Sequence, residues 1–167
     1  MLSSTCRTIL AIAALALAFI NPARGGAPAL DIDQTVIKMP VEDGITMDDV
    51  VQSMKLRANN LNFKMVGHQP LYLELQAMGL ESKRIEIFQF CDARIAKTMI
   101  DFNTSFSAYL PCRITLLEDE NGKPWLITMN LEMFIASANL SPELHKNAVQ
   151  VRDTIKSIME AGAAGDL

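Results

Sequence analysis

The sequence predicts an α+β fold, a two-layer sandwich in which a five-stranded sheet carries two main helices on one face. Three observations predict it. Five short segments have the alternating or β-branched composition of strands. Two longer segments have apolar residues at helical spacing, one after the first strand and one near the C-terminus. Between residues 34 and 160 no repeat or Pro/Gly-rich linker interrupts the chain, so a single domain with the order β-α-β4-α is expected.

The N-terminal residues 1–25 are predicted to be a cleavable signal peptide. Arg7 precedes an unbroken apolar run at residues 9–20, and small residues follow, with cleavage expected after Gly25. A membrane-spanning helix needs about 20 apolar residues, so no stable membrane anchor is expected after cleavage. The protein is therefore expected to be periplasmic or secreted, with residues 26–33 as an N-terminal tail.

The overall charge argues against one class of partner. Lys and Arg number 15 against 19 Asp and Glu, which gives a formal charge of -4. An acidic balance of this kind is not typical of proteins that bind nucleic acid, so no nucleic-acid partner is expected.

The first half of the domain is predicted as strand, helix, strand and short helix. Residues 34–39 alternate as a strand, and Thr46 with Asp49 forms a capping pattern before the first main helix. Residues 62–68 form the second strand, and a short helix over residues 71–78 follows.

The middle of the domain is predicted to contain three strands and one helix. Residues 84–90 form the third strand, and Asp92 caps a helix that ends at residue 102. Residues 112–119 and 124–130 form a hairpin, because Asn121-Gly122 is a strong tight-turn signal.

The last helix has the clearest start. Ser141 is a capping residue and Pro142 takes the first helical position, where its missing N–H costs nothing. The helix is predicted to end near Gly162, which leaves residues 161–167 as a frayed tail.

The sheet face away from the helices is expected to be half apolar, with Phe88, Phe90, Leu117 and Leu126 on it. Such a face needs a cover, which could be the small helices, a ligand or a second subunit. A homodimer through this face is the favoured prediction.

Two segments carry a resemblance to a known family. FCDARIA at residues 90–96 and LPCRI at residues 110–114 resemble the paired-cysteine signature of the domain-of-unknown-function 302 family. The resemblance spans roughly residues 34–160 and implies a β-α-β4-α fold. Ala93 stands where that family usually has a proline, and Arg113 where it often has an asparagine. The resemblance implies an architecture and a pair of cysteines, and no reaction.

The cysteine pair allows three interpretations. Cys91 closes one strand and Cys112 opens another, so an exported protein could join them in a structural disulfide. They could instead be a redox dithiol, since a helix N-terminus, Arg94 and Arg113 favour thiolate, although Asp92 opposes it. The third interpretation is a ligand site for a metal ion or haem iron, completed by His68 or a methionine.

The strong catalytic motifs are absent from the sequence. It contains no Cys-x-x-Cys, Gly-rich phosphate loop, His-Glu-x-x-His or Gly-x-Ser-x-Gly. A small binding or sensing protein is therefore favoured over an enzyme, with its site near Cys91, Cys112 and Arg113 and with His68 behind them. A thiol redox protein and a purely structural domain remain the alternatives, and the sequence identifies neither a small ligand nor a redox partner.

Overall fold

The computed structural model describes residues 30–166, and the expected signal peptide lies outside this range. Its five strands are β1 (Val36–Pro40), β2 (Lys64–Gln69), β3 (Ile85–Cys91), β4 (Cys112–Glu118) and β5 (Pro124–Met129). Its α-helices are α1 (Met47–Asn60), α2 (Leu71–Ala77), α3 (Ala93–Phe102), α4 (Leu131–Ser137) and α5 (Pro142–Ala164). Short 3-10 helices cover Ile32–Thr35 and Thr104–Tyr109. This order confirms the predicted α+β fold.

The sheet is antiparallel throughout, with the strand order β1-β5-β4-β3-β2. The predicted hairpin joins β4 to β5. Gly122 has a φ of 82°, a left-handed conformation that glycine adopts without strain. The side chain of Asp119 accepts hydrogen bonds from the backbone N–H groups of Asn121 and Lys123 and from the indole N–H of Trp125. One carboxylate thus holds the turn and the first residues after it.

Both main helices begin at the predicted caps. Thr46 accepts a hydrogen bond from the backbone N–H of Asp49, whose side chain accepts one from the backbone of Thr46 in return. Ser141 accepts a hydrogen bond from the backbone N–H of Leu144, and Pro142 follows Ser141 directly. Local sequence therefore specifies where the two packing helices start.

The core lies between one sheet face and the two helices α1 and α5. It is built from residues that are almost completely buried, among them Val50, Met54, Phe88, Phe90, Ile114, Leu116, Leu126, Ile155 and Ile158. The prediction that Phe88, Phe90 and Leu126 face away from the helices is therefore wrong. The opposite face instead carries Ile85, Leu117 and Trp125, which are register partners across β3, β4 and β5 and are half-buried. The expected homodimer stays a prediction, but Phe88, Phe90 and Leu126 are buried in the core and are not part of its contact surface.

The reason for this difference is Glu86. It shares the core face of β3 with Phe88 and Phe90, which made that face look polar. Its carboxylate is only 4% exposed but lies 2.5 Å from the guanidinium Nε of Arg84 and 2.5 Å from Nε2 of His68. A buried carboxylate is tolerated when such partners satisfy it.

The C-terminal helix continues further than predicted. α5 extends to Ala164, and residues 161–163 are buried, so the expected frayed tail from residue 161 is wrong for this stretch. Gly162 lies against Met54, Val50 and Leu126, at a distance where even a Cβ atom would collide. The glycine belongs to a close helix–helix contact, and Gly165, with a φ of 68°, is the residue that ends the helix.

In residues 30–166 no helix combines the length and the apolar composition that crossing a membrane requires.

Candidate functional site

An apolar cavity of about 290 Å³ lies at the end of the sheet where β3 stops and β4 begins. Its other walls come from α3, the Thr104–Tyr109 segment, α4 and α5. Aromatic rings form a large part of the lining: Phe63, Phe90, Phe106, Tyr109 and Phe134. Small-molecule sites in proteins usually have a volume of roughly this size and walls of this kind.

The helix α3 forms an apolar wall of the cavity. This helix is strongly amphipathic, yet none of its residues is buried. Ile95, Ala96 and Met99, on its apolar side, line the cavity instead of packing into the core. An amphipathic helix normally buries its apolar stripe against the protein. In α3 the apolar side forms a wall of the cavity instead.

The segment after α3 continues the same wall. The Thr104–Tyr109 helix also has no buried residue. It is tied to the body of the domain by Tyr109 and Phe134, whose ring centroids lie 5.4 Å apart in a tilted arrangement. Phe106 packs in turn on Phe102 at 6.4 Å. Residues 93–109 thus form one continuous wall of the cavity, here called the flap.

Cys91 and Cys112, the two cysteines that the sequence singled out, both lie in the wall of this cavity. Cys91 is the last residue of β3 and Cys112 the first of β4, where it is paired with Phe90. Both side chains line the cavity, and both are free thiols in the structure. A disulfide between them stays a prediction for an oxidised form.

Both thiols are held in the neutral form at neutral pH. Burial, together with the charge of a neighbouring Cys91 thiolate, raises the pKa of Cys112 from 9.0 to about 11, and Arg113 offsets this only partly. Burial, and then the charge of Asp92, raises the pKa of Cys91 as well. Arg113 does favour the Cys112 thiolate and Asp92 opposes the Cys91 thiolate, but desolvation is the larger effect at both cysteines.

Neither arginine that the sequence singled out lines the cavity. The side chain of Arg94 is 86% exposed, and its guanidinium lies 3.6 Å from the carboxylate of Asp92. Arg113 is exposed and follows Cys112 directly on β4, so its side chain points to the opposite face of the sheet.

His68 does not join the cysteines. It lies on β2, whereas Cys112 lies on β4, with β3 between them. Its imidazole binds the carboxylate of Glu86 and stacks on Phe88. The predicted grouping of His68 with Cys91 and Cys112 is therefore wrong. Within residues 30–166 no three His, Cys, Asp or Glu side chains are grouped so that they could hold a metal ion.

Two features of the site were missed by the sequence analysis. Asp92 was identified as a helix cap and as a charge that opposes thiolate formation, but not as a cavity residue, although its side chain is 12% exposed and lines the cavity. The aromatic residues Phe106, Tyr109 and Phe134 were not predicted as site residues. The dense aromatic content of residues 102–109, outside any strong helix pattern, is the signal that could have indicated them.

The fold and the cavity define a small α+β domain with an apolar site next to a pair of thiols. The chain belongs to the family described as Domain of unknown function DUF302, whose sequence profile matches residues 37–162. It is similar in fold to the crystal structure of the uncharacterized conserved protein DUF302 from Bacillus stearothermophilus, with a TM-score of 0.65 and 17% identity. That match covers 76% of this chain and 97% of the other. No curated protein matches the chain.

Proposed function

We propose that this protein is an exported, periplasmic or secreted, binding or sensing protein that holds a small apolar ligand in the cavity beside Cys91 and Cys112. One observation carries the proposal. The apolar side of α3, including Ile95 and Met99, faces the cavity and not the core. A ligand that fills the cavity would complete the packing of this helix.

The energetics of burial support a ligand of this type. Removing apolar surface from water contributes roughly 25 cal/mol per Å². A ligand between the flap and the body of the domain would bury its own surface together with the apolar side of α3. Binding costs the ligand its translational and rotational freedom. The cavity wall is in part already in place, since the ring of Tyr109 contacts that of Phe134 on α4.

The state of the thiols favours binding over the redox alternative. Thiol–disulfide exchange starts from a thiolate, and efficient attacking thiols have a pKa near the ambient pH. The pKa of Cys91 and that of Cys112 are both raised instead. Neutral, half-buried thiols of this kind behave as small apolar groups, which suits the wall of an apolar cavity.

The lining also argues against haem. The propionate groups of a haem need basic partners or solvent, and among the described residues that line the cavity none is Lys, Arg or His. An organic molecule without a strong negative charge fits this lining better than haem or a metal ion.

A neutral apolar dye tests the proposal directly. We expect N-phenyl-1-naphthylamine to bind the purified protein saturably with a fluorescence increase. Ala148→Phe, which places a ring into the cavity from α5, should weaken this binding at least about tenfold. The matched control is Ala136→Phe, at an exposed position on α4 that does not line the cavity.

The folded state of each variant is checked by its circular dichroism spectrum and melting curve. Should Ala148→Phe not fold, Ala96→Phe fills the same cavity from the flap side. Dye binding that is the same in the wild type, the filled variants and the control would contradict the proposal.

A further inference from the structure

We infer that the cavity selects apolar molecules that carry a positively charged end, organic ammonium ions, with the carboxylate of Asp92 as the counter-charge. This inference rests on the proposed function, because it names the ligand class for the same cavity. It is carried by the charges and rings of the lining.

Asp92 dominates the electrostatics of the cavity. Of the described residues that form the lining, it alone carries a formal charge at neutral pH, because Cys91 and Cys112 remain neutral thiols. In an apolar surrounding a single charge acts over a longer range than in water. The charge that the lining itself contributes to the cavity is therefore negative, and the walls around it are apolar.

The carboxylate of Asp92 is ionised, and only one of its oxygens accepts hydrogen bonds from the backbone. Burial raises its pKa, but hydrogen bonds from the backbone N–H groups of Arg94 and Ile95, together with the guanidinium of Arg94, outweigh burial, so the pKa is lowered overall. Both of these bonds go to Oδ1, at 2.8 Å and 3.4 Å. The other oxygen, Oδ2, forms a long ion pair of 3.6 Å with the guanidinium of Arg94, whose side chain is 86% exposed. A ligand's ammonium group would take the place of this weak, solvated partner at Oδ2.

The aromatic rings of the cavity favour the same ligand class. Phe90, Phe106, Tyr109 and Phe134 line the space next to α3. The faces of aromatic rings attract cations, and aromatic cages bind organic ammonium ions in many proteins. A carboxylate ligand would meet Asp92 with no basic side chain in the cavity lining to bind it, which disfavours this ligand class.

Three probes that share one carbon skeleton test the charge preference. 4-Phenylbutylammonium, 4-phenylbutanol and 4-phenylbutanoate differ only in the polar end, and their affinities are measured by isothermal titration calorimetry at pH 7. We expect the ammonium to bind roughly tenfold tighter than the alcohol, and the carboxylate to bind weakest. Equal affinities for the ammonium and the alcohol would overturn the inference and leave the proposed function standing. If none of the three binds, the inference and the proposed function both fail.

Asp92→Asn separates charge from helix capping. Asparagine caps helices about as well as aspartate, so this variant keeps α3 while it removes the negative charge. We expect the ammonium affinity to fall about tenfold and the alcohol affinity to stay within about twofold. Asp101→Asn is the control, since Asp101 is an exposed carboxylate on the same helix that pairs with Lys97 and does not line the cavity.

A second variant leaves the cap untouched. Phe134→Leu removes one ring from the wall and should weaken the ammonium more than the alcohol. An ammonium affinity that is the same in the wild type and in Asp92→Asn would overturn the role of Asp92.

Discussion

The imidazole of His68 lies 2.5 Å from the buried carboxylate of Glu86. The same imidazole is stacked on the ring of Phe88, with centroids 4.5 Å apart and planes 7° from parallel. This contact links the edge strand β2 to the core face of β3. It also supplies one of the two partners that allow Glu86 to lie in the core, the other being Arg84.

Replacing His68 should destabilise the fold. His68→Ala removes a hydrogen bond to a buried carboxylate together with a ring contact, which should lower the free energy of unfolding by about 1–3 kcal/mol. Urea denaturation at pH 7 measures this. His145→Ala is the matched control, because His145 is exposed on α5 and its loss should change stability by less than about 0.5 kcal/mol. Similar effects of the two substitutions would show that the His68–Glu86 contact is not stabilising.

The raised pKa of Cys112 should make the fold less stable in alkaline solution. In the unfolded chain this thiol ionises near pH 9.0, whereas in the folded protein it stays protonated up to about pH 11. Its contribution is therefore fully present below pH 9.0 and is lost as the pH rises towards 11. The loss reaches about 2–3 kcal/mol.

Cys112→Ala removes this dependence. We expect the variant to lose less stability than the wild type between pH 8 and pH 10.5, when both are measured by urea denaturation across that range. The comparison cancels the titration of lysines and tyrosines that both proteins share. Parallel pH profiles for the two proteins would contradict the assignment of a raised pKa to Cys112.

Gly162 should not tolerate a methyl group. A Cβ at this position would lie 2.7 Å from Cγ of Met54 and 3.2 Å from a methyl carbon of Leu126, and both of those residues are fully buried. Gly162→Ala gains about 1 kcal/mol of helix propensity, but overpacking should outweigh it and leave a net loss of about 1–2 kcal/mol.

A double-mutant cycle identifies the cause of that loss. In a Met54→Ala background the closest colliding atom is gone, so Gly162→Ala should cost much less than in the wild type. An unchanged cost in that background would place the strain elsewhere, and a stabilising effect in the wild type would show that α1 and α5 can move apart freely.

Export and thiol state can be read from one measurement. We expect the intact mass of the protein, after expression with its N-terminal segment and alkylation in denaturant without reductant, to correspond to a chain that begins at Gly26 with two alkylated thiols. A mass two hydrogens lower than that of the unmodified reduced chain would show the Cys91–Cys112 disulfide. A mass that includes residues 1–25 would contradict signal cleavage.

The sequence predicted the elements whose signals are local. The cap at Thr46, the Ser141-Pro142 helix start and the Asn121-Gly122 turn each depend on residues a few positions apart, and each is present in the structure. Alternation within a strand likewise separated Phe88 and Phe90 from Ile85 and Ile87. It did not tell which of the two sets faces the helices.

That choice is made by contacts between distant segments. Glu86 lies on the core face with Arg84 and His68 as its partners there, and His68 comes from another strand. The same holds at Gly162, which looks like a helix end in sequence but serves a contact between α5 and α1. The sequence by itself determined the order and the ends of most elements, and it identified Cys91 and Cys112 as a pair of candidate site residues. Only the tertiary structure decided that their thiols are neutral and that α3 turns its apolar side to a cavity, because burial and long-range packing depend on which segments meet in space.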